Sequence, residues 1–520
     1  MASSAPGVDI EYPTDGPPII RTLSTSTAAF IGQTPVKPQG SGGGVTVQSV
    51  TNAQDYLELF STPGASFGPV AMSASDQNYV DHMGHAVRGF FANGGSEVYI
   101  ASLATSEGGS ARRIFGLTNA DGTTNYLVTA ASKGAWGNGV TIRLTQSQAA
   151  GRVDVQITSR IKTHDNQNAD RIETYTAVPA TPEGLGGLLS QFVRIDSTTD
   201  APTGGSIDIT PAFNAGAPNS HSVALLNGAN ATAPSGAAVA TALTAALTEL
   251  QKRGDVSLVA LPGRAWVSGG TDNASYEEAI AHCEFMADRM VLVQIAKSVA
   301  DFKNNGAALP LSSYMAAYFP TGIVSIPLTR ELTTRQETHL IGHVAGIFAR
   351  VDAWQSPAGL TADMRAVTEF TVPISRIEQG PMNDNGVNAL RIVNGIQVSY
   401  GGRTRDIGGI YQYVAVRRTA FLIGDSIREA LQRVVFERNI EATWQNVKTA
   451  VRGFMRSLYD SGAFQGATAD EAFQVFCGLG ESMTQTDIDE GKLIVRSRFK
   501  AAKPAEFIIV RVEQILQGET

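Results

Sequence analysis

Four short stretches of this 520-residue chain carry residue types and spacings that do chemistry in other proteins. Gly64-Ala65-Ser66-Phe67-Gly68 satisfies the Gly-x-Ser-x-Gly spacing that lifts a serine nucleophile on a strand-to-helix turn. Pro63 precedes it and Pro69 follows, so the setting is a loop, and no histidine or aspartate stands in a matching catalytic word. His339-Leu340-Ile341-Gly342-His343 has the i, i+4 spacing that could set two imidazoles on one helical face for zinc. The hydrolytic version needs Glu directly after the first histidine; Leu340 stands there, Gly342 weakens the helix, and a third ligand is not evident. His82 and His85 fall on the flank of another predicted helix. Asp487-Ile488-Asp489-Glu490-Gly491 resembles a calcium loop, but its glycine comes one place early and no bidentate Glu follows at the right distance. A turn explains it better. No Walker A sequence occurs, and no Gly-x-Gly-x-x-Gly follows a strand. The reading is therefore a protein that is not an enzyme, with no catalytic residue, no cofactor and no metal site.

Two features remain as contact surfaces. Lys448, Arg452 and Arg456 are spaced i, i+4, i+8 and align along one helix beside an apolar stripe. Such a row is ordinarily a solvated face; its functional alternative is contact with an acidic partner. The second feature is a pair of terminal strand-like segments, Val8, Ile10 and Tyr12 at one end and Phe507, Ile509 and Arg511 at the other. Five residues between prolines cannot form a stable strand without a partner sheet. An extended arm can add itself to an exposed sheet edge of another subunit, where backbone hydrogen bonds supply affinity and alternate side chains supply register. Four or five bonds at about 0.5–1.5 kcal/mol net give only a few kcal/mol per arm. The C-terminal run also suits burial as a central strand of its own domain.

The elements that must position these residues follow from periodicity. Prolines 6, 13, 17, 18, 35 and 38, followed by Gly40-Ser41-Gly42-Gly43-Gly44, rule out a packed helix in the first 40 or so residues. Apolar residues at Tyr79, Val80, Met83, Ala86, Val87, Phe90 and Phe91 predict a helix with Ser75 as its N-cap and Asn93-Gly94-Gly95 as its stop. A strand follows at Val98–Ala101. From about 106 to 225 strand-like pieces recur between Gly, Asn, Asp and Thr, at 125–130, 140–145, 153–157 and 207–209. Helices and buried strands then alternate: Val239, Leu243, Leu247 and Leu250; Val256–Leu261; Ile280, Cys283 and Met286; 290–295. That alternation predicts a mostly parallel sheet. Strands are expected at 370–374 and 392–398. Two amphipathic helices carry Ile423, Ile427, Leu431, Val434 and Val435 inward, then Trp444, Val447, Val451, Phe454 and Leu458.

Composition narrows the class. Charged residues make up 17% of the chain, against a usual value of about 25%. A large protein with so few charges hides surface in partners or risks aggregation, which favours assembly. The net charge of −8 speaks against nucleic acid. The two cysteines, Cys283 and Cys477, lie far apart in apolar surroundings and read as buried thiols in a reducing compartment. The first residues lack a basic and apolar leader, and no run spans a bilayer, so neither secretion nor direct membrane insertion is expected.

From residue 343 onward the chain resembles the contractile tail sheath family of phages and related injection machines. The resemblance is carried by His343-Val344-Ala345-Gly346-Ile347-Phe348-Ala349-Arg350-Val351-Asp352, Ser356-Pro357-Ala358-Gly359-Leu360, Asn385-Gly386-Val387-Asn388, Gly401-Gly402-Arg403-Thr404, Val416-Arg417-Arg418, Ala469-Asp470-Glu471-Ala472-Phe473-Gln474-Val475 and Pro504-Ala505-Glu506-Phe507-Ile508-Ile509. Ala86–Gly95 and Ala135-Trp136-Gly137-Asn138 add to it. Two departures are Asp9 in the first arm and Val398-Ser399-Tyr400-Gly401-Gly402, where a Trp-Gly word is usual.

The resemblance implies an α/β multidomain chain: an arm (1–27), the first part of an α/β domain (28–105), a β-rich insertion projecting outward (106–225), a subtilisin-like α/β domain (226–362), an α+β sheath core domain (363–503) and a C-terminal strand or arm (504–520). It implies a subunit that polymerises as stacked rings around an inner tube protein, with baseplate and terminator or cap proteins as further partners. Arms would join neighbours, and a C-terminal helix would touch the tube. Assembly in a bacterial cytoplasm, then residence in a virion tail or a contractile particle, goes with it. A non-contractile shell protein and a serine hydrolase are the alternative classes.

Overall fold

The computed structural model describes residues 20–38, 44–61, 81–106, 108–162, 168–230, 233–267, 269–295, 308–327, 333–504 and 506. The arm residues Val8, Ile10, Tyr12, Phe507, Ile509 and Arg511 lie outside them, as do Ser66 and Ser75. Contacts divide the chain into two units: Ser26–Val351 with Pro357–Ile410, and the remainder.

The first unit is built on an eight-stranded sheet. Its order from one edge is Thr46–Val50, Val98–Ser102, Ala28–Gly32, Leu258–Ala260, Met290–Gln294, Met315–Phe319, Val387–Val393 and Ile396–Ser399. The six inner strands are parallel and the two edge strands antiparallel. Alternate side chains serve opposite faces. Ala29, Ile31, Val259, Val291, Val293 and Ala317 pack with Leu243, Leu247 and Leu250 of the helix Ala237–Gln251 and with Tyr276, Ile280 and Cys283 of the helix Asn273–Met286. On the other face Phe30 meets Phe90 edge-on at 5.7 Å between ring centroids, and Tyr318 meets Phe348 at 6.3 Å. Those phenylalanines come from the helices His82–Ala92 and Ile341–Arg350. Helices on both faces explain why the inner strands read as unbroken apolar runs.

Several expected elements shift. The helix ending at Ala92 starts at His82, and Asp81 rather than Ser75 caps it, its carboxylate accepting from Gly84 N–H at 2.8 Å. The expected strand at 392–398 is a hairpin: Asn394 (φ 52°) and Gly395 (φ 81°) form the tight turn between Val387–Val393 and Ile396–Ser399. Val387–Val393 pairs with Met315–Phe319, so residues 357–410 group with this sheet and the division between the units falls after Ile410.

The β-rich stretch forms two four-stranded sheets. One runs Ser206–Asp208, Arg112–Asn119, Gly122–Ala130, Val193–Thr198; the other runs Ser220–Ala224, Val140–Gln146, Arg152–Lys162, Asn168–Pro179. Phe115, Tyr126 and Ile195 of the first share one core with Ile142, Val155 and Val223 of the second. The word Ala135–Asn138 ties the start of this stretch to its exit. Asn138 exchanges two hydrogen bonds with Gly228, at 2.9 and 2.8 Å, and Ala135 N–H donates to Asn230 Oδ1 at 2.9 Å.

The second unit packs the helices Val414–Leu431 and Glu441–Asp460 with a two-stranded sheet. Ile423, Val447, Val451, Phe454 and Leu458 are buried in its core, as their spacing predicts. Val435 is not, at 59% exposure, because the first helix ends at Leu431 and the following turn carries Val435 away from the core.

Candidate assembly site

Most polar words of the chain turn out to be packing devices. The two helices His82–Ala92 and Ile341–Arg350 meet at glycines: a methyl at Gly342 would overlap Ala86, and one at Gly346 would overlap the Phe90 carbonyl. Asn93, fully buried, donates to Gly89 O at 2.8 Å and accepts from Arg365 N–H at 2.8 Å. Two words distant in sequence become one clamp: Asn388 donates to Arg403 O at 2.8 Å and accepts from Arg403 N–H at 2.7 Å. A Cβ on Gly401 would come within 2.7 Å of Asn388 Cα, so that glycine permits the approach. In the second unit, Arg418 is buried and reaches Thr25 Oγ1 at 3.2 Å, while the Arg417 guanidinium lies over the rings of Tyr411 (4.4 Å) and Phe421 (4.7 Å).

The histidine pair does not share a helical face. His339 precedes the helix that begins at Ile341, and its ring stacks on His82 at 5.2 Å. His85, expected on a helix flank, is buried. Among the described residues no group of three His, Cys, Asp or Glu is placed to hold a metal ion. Asp487 caps a short helix, Gln485–Asp489, in a reciprocal box with Thr484; the Thr484 amide and hydroxyl hold its carboxyl below the usual range. In open α/β sheets ligands sit beyond the strand C-termini where the strand order reverses. Here that place, between Ala28–Gly32 and Leu258–Ala260, is filled: a Cβ on Gly32 would meet the Pro262 carbonyl at 3.0 Å and Met83 Cε at 3.1 Å.

The basic row lies on the helix Glu441–Asp460, and each cation has a carboxylate. Lys448 Nζ is 2.7 Å from Glu481, Arg452 2.7 Å from Asp470 and Arg456 3.0 Å from Asp460. Both arginines are exposed, so these are screened, exchangeable pairs. The row is thus a chain of ion pairs rather than a bare positive stripe, a detail the i, i+4 spacing could not show.

Behind the same helix, Phe473–Phe476 pairs antiparallel with Arg496–Phe499, Phe473 opposite Phe499 and Phe476 opposite Arg496. Phe464 anchors the pair, its ring 6.0 Å from Phe473 and 5.5 Å from Phe499. Two four-residue strands are marginal alone and depend on this packing. Among the described residues no third strand joins the sheet. Its flanks present backbone N–H and C=O groups that another strand could pair.

Residues 409–515, which contain this helix and sheet, match the family model of the phage tail sheath C-terminal domain. The whole chain superposes on the contracted helical sheath of the anti-feeding prophage, covering 99% of this chain and 100% of that one, with a TM-score of 0.57 and 20% identity. This is the sheath-protein fold. A second match with that fold is the contracted sheath complex of the PVC extracellular contractile injection system, covering 100% of both chains (TM-score 0.56, 17% identity). A third is a sheath tail protein of Desulfitobacterium hafniense, covering 90% of this chain and 93% of that one (TM-score 0.55, 14% identity). In sequence, the tail sheath protein of Vibrio phage KVP40 is 26% identical over 176 residues. That stretch is 32% of this chain and spans about a quarter of the relative's length.

Proposed function

We propose that this chain is the structural subunit of a contractile sheath, polymerising helically around an inner tube and shortening to drive that tube through a target envelope. The observation that carries the reading is the extent of the fold match. It runs across the whole of both chains rather than over one transferable domain. On this reading the terminal arms, through Val8, Ile10 and Tyr12 and through Phe507, Ile509 and Arg511, add strands to the flanks of a neighbour's Phe473–Phe476 and Arg496–Phe499 sheet. A heterologous contact of this kind does not close on itself and so builds an open helix. Extended and contracted tubes are then two packings of nearly rigid subunits. A few kcal/mol of difference per subunit suffices because many act in series. The row of half-buried Lys448 and exposed Arg452 and Arg456 faces the tube, exchanging its intrachain carboxylates for those of the partner. Baseplate and cap proteins bound the ends, the two-sheet insertion faces outward, and the parallel sheet with helices on both faces is the subtilisin-like layer. The subunit's role is mechanical rather than catalytic.

Negative-stain microscopy of the full-length protein, alone and co-expressed with its tube protein, tests this. Tubes of two lengths and diameters are expected; flat lattices or dispersed monomers would favour a static shell or an unrelated role. Replacing Lys448, Arg452 and Arg456 together by Glu is expected to leave the fold intact and abolish assembly on the tube. Sheaths of normal length and salt sensitivity from that variant would remove the tube contact from this helix.

A further inference from the structure

Four of the chain's seven histidines converge on one helix crossing. His82 and His85 belong to the helix His82–Ala92, His343 to the helix Ile341–Arg350, and His339 to the residues entering it. His85 and His343 are 2% exposed. The rings of His82 and His339 stack at 5.2 Å with 22° between their planes. Gly89 leaves the room that the His343 ring occupies, since a methyl there would overlap it. Nδ1 of all four rings, and Nε2 of His85, are buried without a hydrogen-bond partner among the described residues. A structural histidine normally has a carbonyl or carboxylate on one nitrogen to fix its tautomer. These rings are packed as aromatic bodies, and among the described residues no carboxylate is paired with them to stabilise an imidazolium.

The surrounding groups sharpen this. Arg88, on the same helix as His82, adds a positive charge that acts on both His85 and His343. Its guanidinium reaches the Ser325 carbonyl at 3.3 Å. Asp81 spends its carboxylate on Gly84 N–H and on the Tyr56 hydroxyl, at 2.8 Å each. The strands Ala28–Gly32, Leu258–Ala260 and Met290–Gln294 bring no titratable side chain, and Met315–Phe319 brings the Tyr318 phenol alone. The strand Thr333–Thr338 carries Arg335, paired with Glu369 at 2.8 Å, and Glu337, which accepts from the Thr321 hydroxyl at 3.0 Å. Arg350, at the far end of its helix, is engaged by Asp363 at 2.8 Å.

We propose that the four histidines form a proton-operated lock between the helices His82–Ala92 and Ile341–Arg350, closed while the rings are neutral and opened when acid charges them. A proton on one ring gains no hydrogen-bond partner at these buried nitrogens, and a second meets the first and the Arg88 charge in a buried site. The helices can then relieve the repulsion only by parting. Burial supports the direction, pushing His85, His339 and His343 down to about 3, and His82 down as well. The unfolded chain takes up protons below about pH 6.5. Stability contributed by the neutral rings is therefore full above that pH and is lost as pH falls from about 6.5 toward 3. Asp81, pushed up to about 6, acts in the opposite sense and cannot produce an acid loss. The lock stands independently of the sheath reading.

The test follows the thermal midpoint of the full-length protein from pH 7.5 down to pH 4.5, comparing wild type with a His85→Gln/His343→Gln double variant and with His221→Gln outside the cluster. Wild type and the His221 variant are expected to lose midpoint steeply below about pH 6.5, and the double variant to lose less than half as much. Equal losses in all three proteins would overturn the proposal. If the double variant does not fold at pH 7.5, hydrogen–deuterium exchange at the histidine C2 positions of the wild type decides. Peptides spanning 82–92 and 339–350 should titrate below pH 5, and a midpoint near the ordinary 6.5 would overturn the lock.

Discussion

Asp81 shows how a single buried side chain in this protein serves two masters. Its carboxylate caps a helix and receives the Tyr56 hydroxyl, yet burial raises its pKa from 3.8 to about 6. A folded-state pKa above the unfolded one means that stability is lost as pH rises through about 6, by about 3 kcal/mol at most. Asp81→Asn keeps an acceptor for Gly84 without the charge. Urea unfolding should show its stability relative to wild type improving from pH 5 to pH 8; a constant difference would mean that the carboxyl is ionised throughout. Gly342 is the opposite case, a residue whose value is the side chain it lacks. Gly342→Ala places a methyl into Ala86 and is expected to cost about 1–3 kcal/mol, read as a lower urea midpoint with unchanged slope. Neither effect follows from residue type alone. In sequence Gly342 reads as a helix weakener, and only the crossing helix makes it indispensable.

At the level of elements, the hairpin Val387–Ser399 gives a sharp prediction. Asn394 and Gly395 both sit at positive φ, at 52° and 81°, in the turn whose twist matches the flanking strands. Gly395→Val should destabilise the first unit by about 1–2 kcal/mol, since a β-branched residue is strained there, measurable as a fall in thermal midpoint. The Asn-Gly pair between apolar runs was itself the strongest local hairpin signal in that stretch, so the single strand expected at 392–398 overlooked readable information. The amphipathic helix Glu441–Asp460 came through with its inward residues as read, because a 3.6-residue stripe survives any tertiary context that buries one face. Its charges were a different matter. Periodicity placed Lys448, Arg452 and Arg456 in a row, but their carboxylate partners include Glu481, on a turn, and Asp470, on the short helix Ala469–Ala472, and no local pattern could bring either there.

For the whole molecule, the proposed polymer predicts a separation of folding from assembly. Removing residues 1–19 and 505–520 takes away both arm segments and no described strand. The truncated chain should keep its circular dichroism and thermal midpoint while failing to form tubes, and truncated protein that still polymerises would place the joints elsewhere. The sequence by itself determined the class of each layer. Alternating apolar runs and helical stripes announced a parallel sheet with helices, the Gly/Asn/Asp-punctuated stretch announced a β-rich insertion, and the terminal words carried the sheath resemblance. Those signals are local, governed by which residues can bury one face of a regular element. The tertiary structure alone decided the joins. It placed Val387–Val393 in the large sheet, fused two polar words into the Asn388–Arg403 clamp, and gathered His82, His85, His339 and His343 at one crossing. The physical reason is that each join brings together segments 15 to more than 250 residues apart. Closing such loops is decided by the packing of the whole core, and no spacing within one segment records it.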